Sequence, residues 1–177
     1  MSDFKSPFTS LSSLGWQAFF QQQILLEEWD AALPARIVEQ HKSEIKVATA
    51  EEIITLGLTH NMPEMVVGDW ILLNAEKHFL RLLDRKTSFA RKAAGSKVHK
   101  QLISANVDTA FIVCSMNDDF NLNRIERFLS LVNESAAEAV VILSKSDQAE
   151  SPEEFIQAVQ SIDPLLMVEA VNCLDTE

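Results

Sequence analysis

The sequence predicts a mixed fold, α+β and then α/β: an N-terminal helix, a small five-stranded β-barrel, and a parallel α/β unit. Three observations carry this reading. Residues 14–30 hold apolar side chains near helical spacing, residues 33–84 carry five short apolar runs bounded by polar turns, and residues 105–177 alternate strand-like with helix-like segments. The boundaries follow as an N-terminal extension over 1–32, a barrel over 33–84, a basic linker over 85–104 and the α/β unit over 105–177.

In the first segment Leu14, Trp16, Phe19, Phe20, Ile24, Leu25 and Trp29 recur with Gln and Glu between them, and Pro34 follows soon after. Ser12 or Ser13 is placed to cap such a helix. Its aromatic side reads as a packing stripe. The pattern then shortens to strands over 35–39, 44–48, 52–59, 70–74 and 79–83, with almost no helical period. Within Val67-Gly68-Asp69-Trp70-Ile71, Gly68 suits an unusual backbone conformation, and Trp70 reads as core rather than as a stacking platform. Beyond the linker come a strand over 109–115, a helix over 121–134, a strand over 139–143, a helix over 152–161 and a last strand over 165–171. This is the order of parallel βαβ units.

Val140-Val141-Ile142-Leu143-Ser144-Lys145-Ser146-Asp147 is an unbroken apolar run that stops at a lysine and an aspartate spaced two apart. Such a run is a strand buried on both faces, so the residues after it stand at the carboxyl end of a parallel sheet, where α/β proteins bind ligands. A carboxylate there accepts two hydrogen bonds from one edge of a planar base. Guanine offers the two donors side by side, its ring N–H and its amino group, and a lysine stem lies well over a ring face.

Upstream stand Ala105-Asn106-Val107-Asp108 and Asp119-Phe120-Asn121-Leu122-Asn123-Arg124-Ile125-Glu126-Arg127-Phe128-Leu129. With SKSD in place of NKxD, this order resembles the circularly permuted GTPases of ribosome assembly, the small-subunit-dependent family called RsgA, YjeQ or EngC. There an ANxD segment, a strand, an FNLxxIDRYL-like helix and the NKxD strand precede the phosphate-binding loop. The likeness runs over roughly residues 30–177 and includes the VGDWV-like strand start and an RxTxFxR-like segment at 85–91.

The resemblance implies an OB-like RNA-binding barrel, a partial circularly permuted P-loop-type GTPase domain, and a cytoplasmic parent that hydrolyses GTP while maturing the small (30S) ribosomal subunit. It implies GTP or GDP with Mg²⁺ as cofactor, and the small subunit's rRNA as partner, with neither DNA nor membrane. Asp147 would hold the guanine N–H groups and Lys145 would flank the base. Ser144 replaces asparagine, and its hydroxyl lacks an amide's paired donor and acceptor. Ala170-Val171-Asn172-Cys173-Leu174 takes the place of a VSAL segment, which gives Cys173 the backbone N–H that meets the guanine carbonyl.

No G-x-x-x-x-G-K-S/T occurs, and the four glycines are not arranged to cradle phosphates. No catalytic residue is therefore assigned, and the chain alone is expected not to hydrolyse GTP. No metal site is expected either, since His41, His60, His78 and His99 are scattered. Zinc would belong to a C-terminal domain not present here.

The net charge of −11 hides an asymmetry, because residues 76–100 hold eight Lys or Arg against Glu76 and Asp84. The cluster is either a solvated linker or one RNA-docking face. A like-charged run without nearby counter-charge favours RNA, with Arg85, Lys86, Arg91, Lys92, Lys97 and Lys100 as the contacts. A stand-alone OB-fold RNA-binding module without nucleotide hydrolysis is the alternative. Apolar content of 47% suits a packed globular protein, and Cys114 and Cys173 read as reduced thiols. No apolar stretch reaches the ~18 residues that span a bilayer, and no signal core follows the N-terminus.

Overall fold

The computed structural model describes residues 10–92 and 100–175, in two compact units that divide after Asn106. In the first, β1 (Leu33–Gln40), β2 (Glu44–Ala48), β3 (Ile53–Gly57), β4 (Trp70–Leu73) and β5 (Phe79–Leu82) form one antiparallel sheet in the order β3-β2-β1-β4-β5. The strands fall where the polar turns place them. A bulge between Ile37 and Glu39 curls the sheet, and β3 and β5 stay at its edges, so the expected five-stranded barrel is an open half-barrel. The β3–β4 connection contributes Leu58, Met62 and Met65 to the core instead of a further ladder.

Strand β4 is buried throughout because its two faces serve two cores. Ile71 and Leu73 join Ala35, Ile37, Ile45 and Val47 on one side. Trp70 and Leu72 join Leu14, Phe20, Ala48 and Leu83 on the other. Trp16 meets the Trp70 ring edge-on at 4.7 Å and Phe20 lies 5.7 Å from it, which establishes Trp70 as core.

The aromatic segment over this face is not the helix its spacing predicts. It contains a 3₁₀ turn at Ser12–Leu14, the four-residue α1 (Ala18–Gln21) and a 3₁₀ turn at Leu26–Glu28. Gly15, at φ +86°, ends the first turn, and no side chain caps α1. The segment is shaped by what it lies on. Arg81 donates to the Gln23 carbonyl and to both oxygens of Glu28, while Gln23 accepts from the Asp84 N–H at 2.6 Å. These bonds strap an irregular chain onto β5 and override its helical period.

The expected linker is a hairpin. β6 (Ser88–Lys92) pairs antiparallel with β7 (Lys100–Ala105), and the Ala105 N–H donates to the Val67 carbonyl at 3.0 Å. Asn106, at φ +55° and buried, donates its side-chain amide to the Gly68 carbonyl and accepts from the Lys86 N–H. Its carbonyl accepts from Arg36 at 2.9 Å. Gly68 has φ +94°, and a Cβ there would lie 2.0 Å from the Ala105 oxygen.

In the second unit β8 (Thr109–Ser115), β9 (Glu138–Ser144) and β10 (Met167–Val171) form a parallel sheet in the order β10-β9-β8. Helix α2 (Leu122–Ser135) starts where the Asn121 side chain accepts from the Arg124 N–H, and it ends at Ala136 in the left-handed region. Helix α3 (Pro152–Gln160) begins with Pro152 and two glutamates that suit its positive end. Ile112, Cys114, Val141 and Leu143 are buried on the face that α2 and α3 cover, with Ile125, Leu129, Val132 and Val159 against them. Phe111 and Val113, on the opposite face of the edge strand, are 68% and 64% exposed.

Two stability predictions follow from this packing. Gly68→Ala adds a left-handed strain to a clash with backbone, and should cost roughly 2–4 kcal/mol in denaturant unfolding. The Arg81 hydrogen bonds hold the Glu28 carboxyl at about 2, below its ordinary 4.5. A carboxyl depressed on folding stabilises above the unfolded value and loses that contribution as pH falls through the folded one. Glu28→Gln should therefore lower the melting temperature at neutral pH, and the difference from wild type should shrink below pH 4.5 and be nearly gone by about pH 2.

Candidate functional site

The three parallel strands end in register, with Ser115, Ser144 and Val171 side by side at the carboxyl edge. Here the sheet brings together the residues the sequence singles out. Ser144 closes β9, half-buried, with its hydroxyl 3.5 Å from the Cys114 carbonyl, while its own carbonyl accepts from the Met116 N–H at 2.9 Å. Lys145 follows in the left-handed region at φ +60°, a conformation that costs a non-glycine residue about 1 kcal/mol and recurs at functional loops. A 3₁₀ turn at Ser146–Gln148 then lifts Asp147 into solvent. No described residue bonds the Asp147 carboxylate.

Cys173 stands two residues beyond Val171, exposed, on the same edge. The Asn172 side chain accepts from the Leu174 N–H at 3.0 Å and shapes this turn. The Cys173 N–H meets no acceptor among the described residues. A carboxylate, a cationic stem and a free backbone N–H thus share one strand-end edge, a set suited to a flat heterocycle that presents donors and an acceptor together.

The structure adds residues that spacing alone does not flag. Asn117, just past β8, accepts on Oδ1 from the Ser115 hydroxyl at 2.8 Å and from the Asp119 N–H at 3.1 Å. Arg124 secures that turn by donating to the Asp119 carbonyl at 2.7 Å and reaching the Cys114 Sγ at 3.5 Å. Asn117-Asp118-Asp119 is turn-forming composition, the one signal available in sequence.

The basic set divides. Arg85 is taken by structure: its guanidinium grips the fully buried Asp69 carboxylate at 2.7 and 2.8 Å and donates to the Glu64 carbonyl. Asp69 also accepts from the Val66 N–H, so the pair staples the loop before β4. Lys86 reaches the Gln17 side chain at 3.0 Å, and the exposed Arg91 reaches Gln101 at 3.2 Å. The hairpin register sets Lys92 opposite Lys100. Lys97 lies outside the described residues. Among those described, no group of three or more His, Cys, Asp or Glu could hold a metal ion.

A family model described as RsgA GTPase matches residues 82–175, more than half of the chain. The chain belongs to the RsgA GTPase family. It is 52% identical over 167 residues to the small ribosomal subunit biogenesis GTPase RsgA 2 of Vibrio parahaemolyticus, covering 94% of this chain and 47% of that protein. Against the RsgA of Xanthomonas campestris the identity is 38% over 200 residues, covering 100% and 53%. The crystal structure of YjeQ from Thermotoga maritima shares the fold at a TM-score of 0.61 and 18% identity, over 80% of this chain and 52% of that one. The chain spans about half the length of the curated RsgA relatives it matches.

Proposed function

We propose that this chain is the guanine-reading and RNA-binding part of a GTPase that acts in small ribosomal subunit biogenesis. The observation that carries the reading is the exposed Asp147 carboxylate two residues after left-handed Lys145, on the same sheet edge as the Cys173 N–H, neither of them bonded by any described residue. Asp147 accepts the guanine ring N–H and amino group. Lys145 lays its stem along the ring, and the Cys173 N–H donates to the guanine carbonyl.

The residues present suit the base and not the phosphates. GTP and GDP bring Mg²⁺, which neutralises phosphate charge during transfer, and here neither a phosphate cradle nor a magnesium ligand set is assigned. Hydrolysis belongs to the parent with its phosphate loop, and zinc to a further domain of that parent. The chain alone binds nucleotide weakly and does not turn it over.

Two features favour a GTPase parent over a stand-alone RNA module. Strand β8 is an open edge, and the face bearing Phe111 and Val113 is uncovered, as suits a parallel sheet that further strands and helices complete. The G domain is then circularly permuted, with the base-reading loop ahead of the phosphate loop.

We read the curled sheet as OB-like and the hairpin beside it as the RNA contact. Residues 76–100 carry eight Lys or Arg against two acids, and a phosphate backbone is the partner such a run suits. Lys86, Arg91, Lys92, Lys97 and Lys100 remain the proposed contacts, with Arg85 structural. The setting is the cytoplasm, where rRNA is met. No helix among the described residues is long and apolar enough to cross a membrane.

Asp147→Asn tests the guanine reading. Charge-assisted hydrogen bonds are worth roughly 1.5–3 kcal/mol each, so GDP binding should weaken about tenfold or more. Binding of XDP, whose xanthine offers a carbonyl to the new amide, should strengthen. NMR titration of the 177-residue chain at millimolar nucleotide is the measurement, and unchanged GDP affinity would remove Asp147 from the site. For RNA, binding to small-subunit rRNA should fall with salt at a log–log slope of about −0.7 to −0.9 per neutralised phosphate. Reversing Arg91 and Lys92 to Glu should flatten that slope, whereas affinity indifferent to salt contradicts the contact.

A further inference from the structure

Guanine carries an acceptor that the site as described leaves unmatched. Asp147 takes the N–H edge and the Cys173 N–H takes the carbonyl, but the neighbouring ring N7 has a lone pair and no assigned donor. Ser144 offers a hydroxyl whose one described partner, the Cys114 carbonyl, is a long 3.5 Å away. The adjoining element, a strand end, offers an amide donor.

Asn117 is that element's polar side chain. Ser115 is the register partner of Ser144, and the next residue's N–H, that of Met116, bonds the Ser144 carbonyl at 2.9 Å. Asn117 therefore leaves β8 directly beside the root of the Lys145–Asp147 loop. Its amide orientation is fixed by chemistry, because the Asp119 backbone N–H can only donate. The atom receiving that bond at 3.1 Å, and the Ser115 hydroxyl at 2.8 Å, is the oxygen. Both Nδ2 hydrogens are left over, and no described residue accepts them.

We infer that Asn117 is a further purine-binding residue of the guanine site, its Nδ2–H donating to N7 of the base. The inference rests on the guanine reading above. It assigns to β8 the amide that SKSD lacks at Ser144, so the base is read by three strand ends instead of two. Ser115 and Arg124 are positioning residues, the first holding the amide oxygen and the second the turn.

The decisive probe is 7-deaza-GDP, in which a C–H replaces N7. NMR titration of the 177-residue chain with GDP and with this analogue would compare wild type, Asn117→Ala, Asn117→Asp and Asp147→Asn. Asn117→Asp keeps the oxygen that Ser115 and Asp119 use and replaces the donor with a carboxylate oxygen, so the turn survives. Wild type should prefer GDP by about three- to tenfold, the worth of one neutral hydrogen bond. Asn117→Ala should bind the two nucleotides equally, and Asn117→Asp should bind GDP no better than the analogue. Asp147→Asn should weaken both and keep the preference. No preference in wild type, or a preference retained by both 117 variants, overturns the role of Asn117 while leaving Asp147 in place. Wild type without saturable GDP binding, or Asp147→Asn without effect, overturns the guanine reading and this inference with it.

Discussion

The first unit hangs on a close approach of two backbones. Gly68 lets the end of β7 come so near that no Cβ fits, and the Ala105 N–H and the Asn106 amide then bond the carbonyls of Val67 and Gly68. Asn106 also receives the Lys86 N–H and presents its own carbonyl to Arg36. One buried side chain thus joins the sheet, the start of β6 and the end of β7. Because each of these polar groups is removed from water, losing one partner would strand the others, which makes the clasp cooperative. Asp69 and Arg85 extend it to the loop before β4, with the carboxylate fully buried and both of its oxygens bonded.

This clasp explains what was legible and what was not. Alternating apolar runs located all five strands of the sheet to within two residues, because half-buried strands impose a period of two. The apolar run at 140–143 identified the central parallel strand, but not its expected burial on both faces: Val141 and Leu143 are buried, whereas Val140 and Ile142, on the other face, are only partly so. The hairpin at 88–105 escaped notice. Its docking on the loop before β4 depends on Gly68 and Asn106, far apart in sequence, and its lysines hide any alternation. The aromatic stripe at 14–30 failed in the opposite sense, its spacing fitting a helix while its contacts with Trp70 and Arg81 came from another element.

At the candidate site the same division holds. Lys145 and Asp147 were visible because a strand end followed by a charged pair is a one-dimensional signal. Cys173 was visible only through the family resemblance, and the structure places it on the same edge. Asn117 carried no such signal. Its place near Ser144 arises from the pairing of β8 with β9, in which Ser115 and Ser144, 29 positions apart in the chain, are register partners.

On the proposed reading, the chain separates selectivity from affinity. Base contacts distinguish guanine from adenine because adenine leaves the Asp147 carboxylate without its two donors and the Cys173 N–H without a carbonyl, whereas N7 is common to both bases, and such mismatches discriminate more strongly than apolar fit does. Yet holding any ligand costs several kcal/mol of lost freedom, an estimated 4 kcal/mol or more, before a surplus appears as affinity. A few hydrogen bonds at an exposed strand edge offset little more than that. Tight binding then requires the phosphates, whose cradle lies on a different segment in the permuted order. Placing the selective contacts first in the chain means that they can form on a folded three-stranded sheet, ahead of the strand that carries the phosphate loop. The open edge of β8 is where that strand would have to pair, beside Ser115 and Asn117. On that reading, base recognition and completion of the sheet would meet at one strand, because Ser115, which holds the Asn117 oxygen, is the last residue of β8.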